Sequence, residues 1–131
     1  MTTAYNATPK NFMDALDILN GRSQVKIGHN TYMRIEHNEG LAEIKIRLHD
    51  TDVVTFTEDF NIILDDGGWQ TVTTKERINR YLPSGWKLYQ KDSQWFIDAD
   101  GDTHKYYEGI SLAYSHPYPT DIDWAAFFKT N

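Results

Sequence analysis

Residues 41–57 read LAEIKIRLHDTDVVTFT, and their period decides the fold class. Ala42, Ile44, Ile46 and Leu48 alternate with Glu43, Lys45 and Arg47. A two-residue period sends successive side chains to opposite faces of an extended chain, so this is a strand with one dry and one wet face. Residues 52–57 (DVVTFT) and 60–64 (FNIIL) are dense in β-branched and aromatic side chains, with Glu58 and Asp59 as the turn between them. Upstream, residues 31–37 alternate more weakly, Met33 and Ile35 against Arg34 and Glu36. Downstream, the DDGG of residues 65–68 reads as a turn. Strands joined this tightly, with no crossover helix between them, predict an antiparallel meander over residues 23–72.

Two helices flank it. The first is predicted over residues 8–20, with Thr8 as cap, Pro9 at the first helical position and Asn20-Gly21 as the stop. Phe12, Leu16 and Leu19, with Met13 beside them, give it one apolar face to lay on a sheet. The second is predicted over residues 74–82: Thr73 and Glu76 have capping-box spacing, Pro83 and Gly85 end it, and Ile78, Tyr81 and Leu82 form its apolar face. Strands resume at 86–90 (WKLYQ) and 94–97 (QWFI), with weaker ones near 104–107 and 110–114 and turns at 91–93 and 99–102. The tail, residues 115–131, contains DIDWAAFFK, too short a helical run to hold itself in water without docking. The resulting fold class is α+β and β-rich: a curved antiparallel sheet with an N-terminal helix on one face and one helix inserted after the fifth strand. An SH3/Sm-like partial barrel is the alternative. No repeat or linker divides the chain, so residues 1–131 read as a single domain.

Composition narrows the function classes. The chain has 131 residues, a formal net charge of -6 and 18 aromatics among 4 Trp, 8 Tyr and 6 Phe, which is core material that disordered chains lack. Without cysteine, disulfides, thiol catalysis and cysteine-ligated zinc are excluded. No apolar run approaches the roughly 20 residues of a membrane-spanning helix, and MTTAYNATPK lacks the basic start and apolar stretch of a leader, so a cytoplasmic protein with no membrane partner is expected.

Four runs occur in order: LNGRS, HNTYMRIEH, IRLHDTDVVTF and ILDDGGWQTVTTKERINRYLPSGW. Together they resemble a group of small proteins from bacteriophages and bacterial genomes with the pattern N-T-Y, then R-L-H-x-T-D-V-V-T, then G-G-W-x-T-V-T-T-K-x-R-I-N. The resemblance covers Leu19 to about Tyr89 and does not extend past about Lys91. It implies a phage-type source and a host-cytoplasm setting, and no particular biochemical activity.

Three constellations bear chemistry. His29-Asn30-Thr31 and His49-Asp50-Thr51 are His-x-Thr triplets similar to those of 2H phosphoesterases, in which two imidazoles exchange protons near neutral pH. In that class the triplets lie far apart in two pseudo-symmetric halves, whereas here 20 residues separate them; His29, Thr31, His49 and Thr51 also read as turn and strand-end residues. Asp98, Asp100 and Asp102 alternate like the start of a calcium loop, but Thr103 and Gly109 stand where such a loop needs Gly and Glu, and the run reads better as a hairpin turn around Gly101. Asp50, Asp52, Asp65 and Asp66 form a second acidic group that turn and capping roles explain. Residues 70–91 carry five cations against Glu76 alone, so Lys75, Arg77, Arg80, Trp86, Lys87, Tyr89 and Lys91 are candidates for single-stranded nucleic-acid binding. The competing reading has the aromatics in the core and the cations on a solvated face, with Arg80 paired to Glu76 one turn away.

No P-loop, GxGxxG, HExxH or G-x-S-x-G occurs, so no cofactor is expected. The aromatic surplus, ending in Trp124, Phe127 and Phe128 as interface candidates, favours a phage-type, non-catalytic binding or interaction protein. Its partner would be a host protein, a small ligand or a second copy of itself. Nucleic-acid binding and a 2H-like phosphodiesterase are the alternatives.

Overall fold

The computed structural model describes residues 4–114, and the structural statements that follow concern these residues. The chain runs α1 (Phe12–Leu19), β1 (Gln24–Gly28), β2 (Thr31–Asn38), β3 (Leu41–Leu48), β4 (Thr51–Thr57), β5 (Asn61–Leu64), α2 (Val72–Arg80), β6 (Lys87–Lys91), β7 (Gln94–Ala99), β8 (Asp102–Lys105) and β9 (Ile110–Ala113). The fold is α+β and β-rich, with every strand pair antiparallel. The strands divide between two sheets, one ordered β1-β2-β3-β4-β5-β9 and the other β6-β7-β8. Neither sheet closes, so the barrel alternative is not adopted.

Turn chemistry fixes the hairpin registers. Glu39-Gly40, Asp92-Ser93 and Asp100-Gly101 each hold both central residues at positive φ, the two-residue geometry whose twist matches that of the flanking strands. The Asp-rich run at 98–102 is therefore a hairpin, with Ala99 paired to Asp102 across the Asp100-Gly101 turn. The alternation read from residues 41–48 holds in β3, where Ala42, Ile44, Ile46 and Leu48 are buried. They share the core face with Val25, Ile27, Met33, Val54, Phe56, Ile62 and Leu64.

Element bounds differ from the expected ones for local reasons. Helix α1 begins at Phe12 rather than residue 8, because the Asn11 side chain accepts a hydrogen bond from the Asp14 amide at 2.8 Å and Asp14 accepts one from the Lys10 amide at 3.2 Å. That pairing is available only once the helix starts after Asn11. Its buried stripe is Phe12, Ala15 and Leu19, while Leu16, expected on the apolar face, is 39% exposed. Helix α2 begins at Val72 rather than 74 because Thr71, not Thr73, is the cap, accepting from the Thr74 amide at 3.1 Å. It ends at Arg80, two residues before the expected stop; Tyr81 and Leu82 follow it and are buried. The strand region expected over 23–72 stops at Leu64, and residues 65–71 form an irregular loop.

Helix α2 joins the two sheets. Arg77 Nη1 donates to the His29 carbonyl at 2.8 Å and to the Thr31 hydroxyl, anchoring the helix to the β1–β2 turn. Asn79 grips the small sheet from the other side: its Nδ2 donates to the Leu88 carbonyl and its Oδ1 accepts from the Leu88 amide, both at 2.8 Å. At the helix end, Lys10 Nζ donates to the Arg80 carbonyl at 2.7 Å. Replacing Asn79 by Ala leaves both Leu88 backbone groups without these partners, at a cost of about 1–3 kcal/mol for a buried group left unpaired. Urea denaturation is expected to show that loss, and amide exchange at Leu88 is expected to accelerate more than at Ile44; an unchanged midpoint would remove this clamp from the account of the fold.

Candidate functional site

The β3–β4 turn, the loop after β5 and the start of α2 enclose a cleft of about 470 Å³. The turn contributes His49, Asp50 and Thr51, the loop contributes Asp66 and Trp69, and the helix start contributes Thr71, Thr73 and Thr74. The loop is pressed onto β4 at Gly67, whose φ of +62° and close approach to Thr51 both require glycine: a β-carbon there would overlap the Thr51 hydroxyl. Side-chain turns hold the loop in shape, with Asp65 Oδ1 accepting from the Gly67 amide at 2.8 Å and Asp66 Oδ1 from the Gly68 amide at 2.7 Å.

Asp66 is the electrostatic centre of the cleft. It is 2% exposed, and its second oxygen accepts from Gln70 Nε2 at 3.1 Å. Burial alone would raise its pKa, but the hydrogen bonds from the Gly68 amide and Gln70, with Glu108 beside them, outweigh that and hold it below the usual carboxylate value. The same contacts act oppositely on the neighbours. The hydrogen bond to Asp66 raises the Glu108 carboxyl, and burial followed by the Asp66 charge raises the Tyr106 phenol. The pairing thus favours the charged form of Asp66 and the protonated form of Glu108. Asp65, Asp66 and Glu108 bring ligand oxygens within 4.8 Å of one another.

Beside this buried charge lies exposed apolar surface. Trp69 is 69% exposed and Val72 78% exposed. Trp69 is fixed through its backbone, its amide donating to the Asp66 carbonyl at 2.9 Å while its carbonyl accepts from the Thr71 amide at 3.0 Å. The indole is therefore held at the cleft by the same loop that carries the carboxylate.

The sequence-predicted candidates are distributed as follows. The two His-x-Thr triplets reach the same end of the large sheet, since Thr31 pairs with Leu48 and the His49 amide donates to the Asn30 carbonyl at 3.0 Å. His49 and Thr51 line the cleft; His29 and Thr31 do not. Thr31 is fully buried, its hydroxyl donating to the His29 carbonyl at 2.7 Å and accepting from Arg77. Asp98 accepts from Thr103 at 2.7 Å and from the Tyr89 hydroxyl at 3.3 Å, and Asp100 accepts from Trp86 Nε1 at 3.2 Å. Asp102 is exposed at the start of β8. Of the basic-aromatic candidates, Arg77 and Trp86 are buried, Lys75 lies over the Trp95 ring at 5.8 Å, and Arg80 is paired with Glu76 at 2.9 Å as the spacing predicts. Lys87, Tyr89 and Lys91 share the outward face of β6. Trp124, Phe127 and Phe128 lie outside the described residues.

Over residues 8–113 the sequence matches the family described as Kyanoviridae Gp96 protein. The chain belongs to this family. The Gp96 match runs from just before α1 through β9, so it includes the C-terminal strands beyond Lys91 that the sequence resemblance left out. This is a phage protein family. No curated protein and no solved structure gives a significant match. Among the described residues of this Gp96-family chain, no helix is long and apolar enough to cross a membrane.

The Asp66–Glu108 pair gives the cleft a defined pH response. Asp66, lowered, contributes stability that is present above its unfolded pKa and lost as pH falls. Glu108, raised, contributes stability that is present below its unfolded pKa and lost as pH rises through the folded one. In Glu108→Gln the side chain beside Asp66 stays neutral at every pH. The melting temperature of the wild type is therefore expected to fall relative to Glu108→Gln as pH is raised from mildly acidic to neutral, whereas parallel curves would mean that the two carboxyls do not share a proton. Gly67→Ala is expected to lower the melting temperature at every pH, because the added carbon forces the loop off Thr51; an unchanged melting temperature would show that the loop is not seated there.

Proposed function

We propose that this Gp96-family chain is a non-catalytic binding protein, acting as a single domain in the host cytoplasm, and that its ligand seats in the cleft between the β3–β4 turn, the 65–71 loop and the start of α2. The observation that carries the reading is the exposed Trp69 indole held beside the buried, ionised Asp66 carboxylate. A contiguous exposed apolar surface rimmed by polar groups is one mark of a ligand-binding groove, and Trp69 and Val72 are exposed together here. The cleft volume of about 470 Å³ falls within the roughly 300–1,000 Å³ of small-molecule sites, which favours a small ligand over a flat protein face.

The walls restrict the ligand. The exposed Asp50 accepts hydrogen bonds, the buried Asp66 adds negative charge behind the wall, the start of α2 favours acceptor groups, and the indole offers a flat apolar surface. A neutral ring with hydroxyl or amide groups on its edge and an apolar face meets these demands. Catalysis by the histidine pair has less support, because His29 and Thr31 stand outside the cleft and the Thr31 hydroxyl is already engaged. The reading requires neither a cofactor nor a metal.

Saturation-transfer NMR against a library of neutral polar ring compounds tests it. Compounds that bind the wild type are expected to lose at least about ten-fold in affinity, or about 1.4 kcal/mol, on Trp69→Ala and on Asp66→Asn, and to be recovered chemically unchanged. Compounds that bind both variants as tightly as the wild type, or that are converted during the measurement, would reject the proposal.

A further inference from the structure

We infer that the outward face of the small sheet binds single-stranded nucleic acid. Along β6, Leu88 points inward and is 1% exposed, which sends Lys87, Tyr89 and Lys91 outward. Along β7, Trp95, Ile97 and Ala99 are buried, which sends Gln94, Phe96 and Asp98 outward. The register then places the outward residues in rows across the sheet. Tyr89 pairs with Phe96 and Phe96 with Lys105; Lys87 pairs with Asp98 and Asp98 with Thr103; Lys91 pairs with Gln94.

The centre of this face is a pair of aromatic rings with lysines around it. The Tyr89 and Phe96 rings are stacked, with centroids 5.8 Å apart and planes 26° from parallel, and both residues remain partly exposed. Lys87 and Lys91 lie two residues to either side of Tyr89, about 6.7 Å along the strand in each direction, and Lys105 stands beyond Phe96 on the third strand. The face carries three ammonium groups against the carboxylate of Asp98, and that carboxylate is engaged by Thr103 and the Tyr89 hydroxyl. Asp92 and Asp100 sit in the turns at the two ends.

A cross-strand aromatic pair stabilises any small sheet, so the pair alone identifies no ligand. The added observation is charge complementarity. In a chain of net charge -6, three of the thirteen cations gather around one ring stack, with none of them in an ion pair among the described residues. Ring faces that extend a stack, bordered by cations that track phosphates, are what an unpaired strand requires. A duplex is a poor fit, because its bases are already stacked and this face projects no helix into a groove. The site differs from the stretch the sequence suggested: it retains Lys87, Tyr89 and Lys91, discards the buried Arg77 and Trp86, and adds Phe96 and Lys105.

Fluorescence anisotropy of the full chain with a fluorescein-labelled oligothymidine tests the inference independently of the cleft. With three phosphates engaged, the affinity for a single strand should fall roughly eighteen-fold between about 50 and 200 mM salt. The combined Lys87→Gln, Lys91→Gln and Lys105→Gln variant, confined to surface positions, is expected to lose at least about ten-fold at low salt and most of that salt dependence. Phe96→Leu keeps an apolar side chain on the strand and is expected to weaken binding at both salt concentrations. Lys26→Gln, on the outer face of the other sheet, is expected to leave binding unchanged. Absence of binding at low salt, equal binding by the triple-lysine variant, equal affinity for duplex DNA, or equal displacement by polyglutamate would each overturn it.

Discussion

The arrangement of this protein depends on a buried guanidinium. Arg77 is 7% exposed, and removing such a charge from water costs several kcal/mol unless hydrogen bonds replace the lost hydration. The replacement comes from the His29 carbonyl and the Thr31 hydroxyl, with the Glu76 carboxylate 3.6 Å from Nε. The first two belong to the β1–β2 turn, so satisfying the charge fixes where α2 crosses the end of the large sheet. Asn79, two residues further along, then fixes where the small sheet hangs. One helix of nine residues thereby positions both candidate binding surfaces, its first turn forming a wall of the cleft and its last turn holding β6.

The cleft shows how loop chemistry and electrostatics reinforce each other. The turn that buries the Asp66 side chain also supplies the Gly68 amide that keeps it charged, and the glycine at 67 allows the whole loop to lie against β4. Glu108 arrives from a distant part of the chain because β9 pairs with β5, which brings residues 107–109 beside Leu64. The same proximity of Asp66 raises the Glu108 carboxyl and gathers three carboxyl groups within 4.8 Å. Trp69 is exposed as a consequence of the same geometry, since its backbone is committed to the turn and its side chain is directed away from the core.

The parts of this structure legible in the sequence are those set by local period and turn chemistry. Residues 41–48 announce a half-buried strand because burial acts on alternate side chains, and Asp100-Gly101 announces a hairpin because few residue pairs tolerate two left-handed conformations. Helix starts were less legible: Thr8, Asn11, Thr71 and Thr73 are all competent caps, and the choice among them falls to tertiary contacts such as the Lys10 bond to α2. The pairing of β9 with β5 leaves no local trace, so the division into two sheets and the approach of Glu108 could not be read. Arg77 looked like a solvated cation because nothing within its own stretch indicates that a carbonyl at residue 29 needs a donor. For Trp69 a signal was present: an aromatic directly after two acids and two glycines is poorly placed to reach a core. Phe96 and Lys105 emerged only once strand register set them beside Tyr89.

The Gly109 amide donates to the Leu64 carbonyl at 2.8 Å, so the chain leaves the large sheet after β5 and comes back to it at nearly the same point. Everything between, α2 and the whole of the small sheet, is an excursion whose two ends already touch. Such a segment behaves topologically as a cassette. Its ends lie close enough for a tight turn to join them, yet its Ile78, Tyr81, Trp86, Leu88 and Trp95 are buried in one core with the large sheet. Both candidate binding surfaces draw on this segment, and the hydrophobic ladder of β2, β3 and β4 shares one core with it. The scaffold and the excursion therefore stand or fall together: their ends meet at one backbone hydrogen bond and their apolar side chains fill one interior.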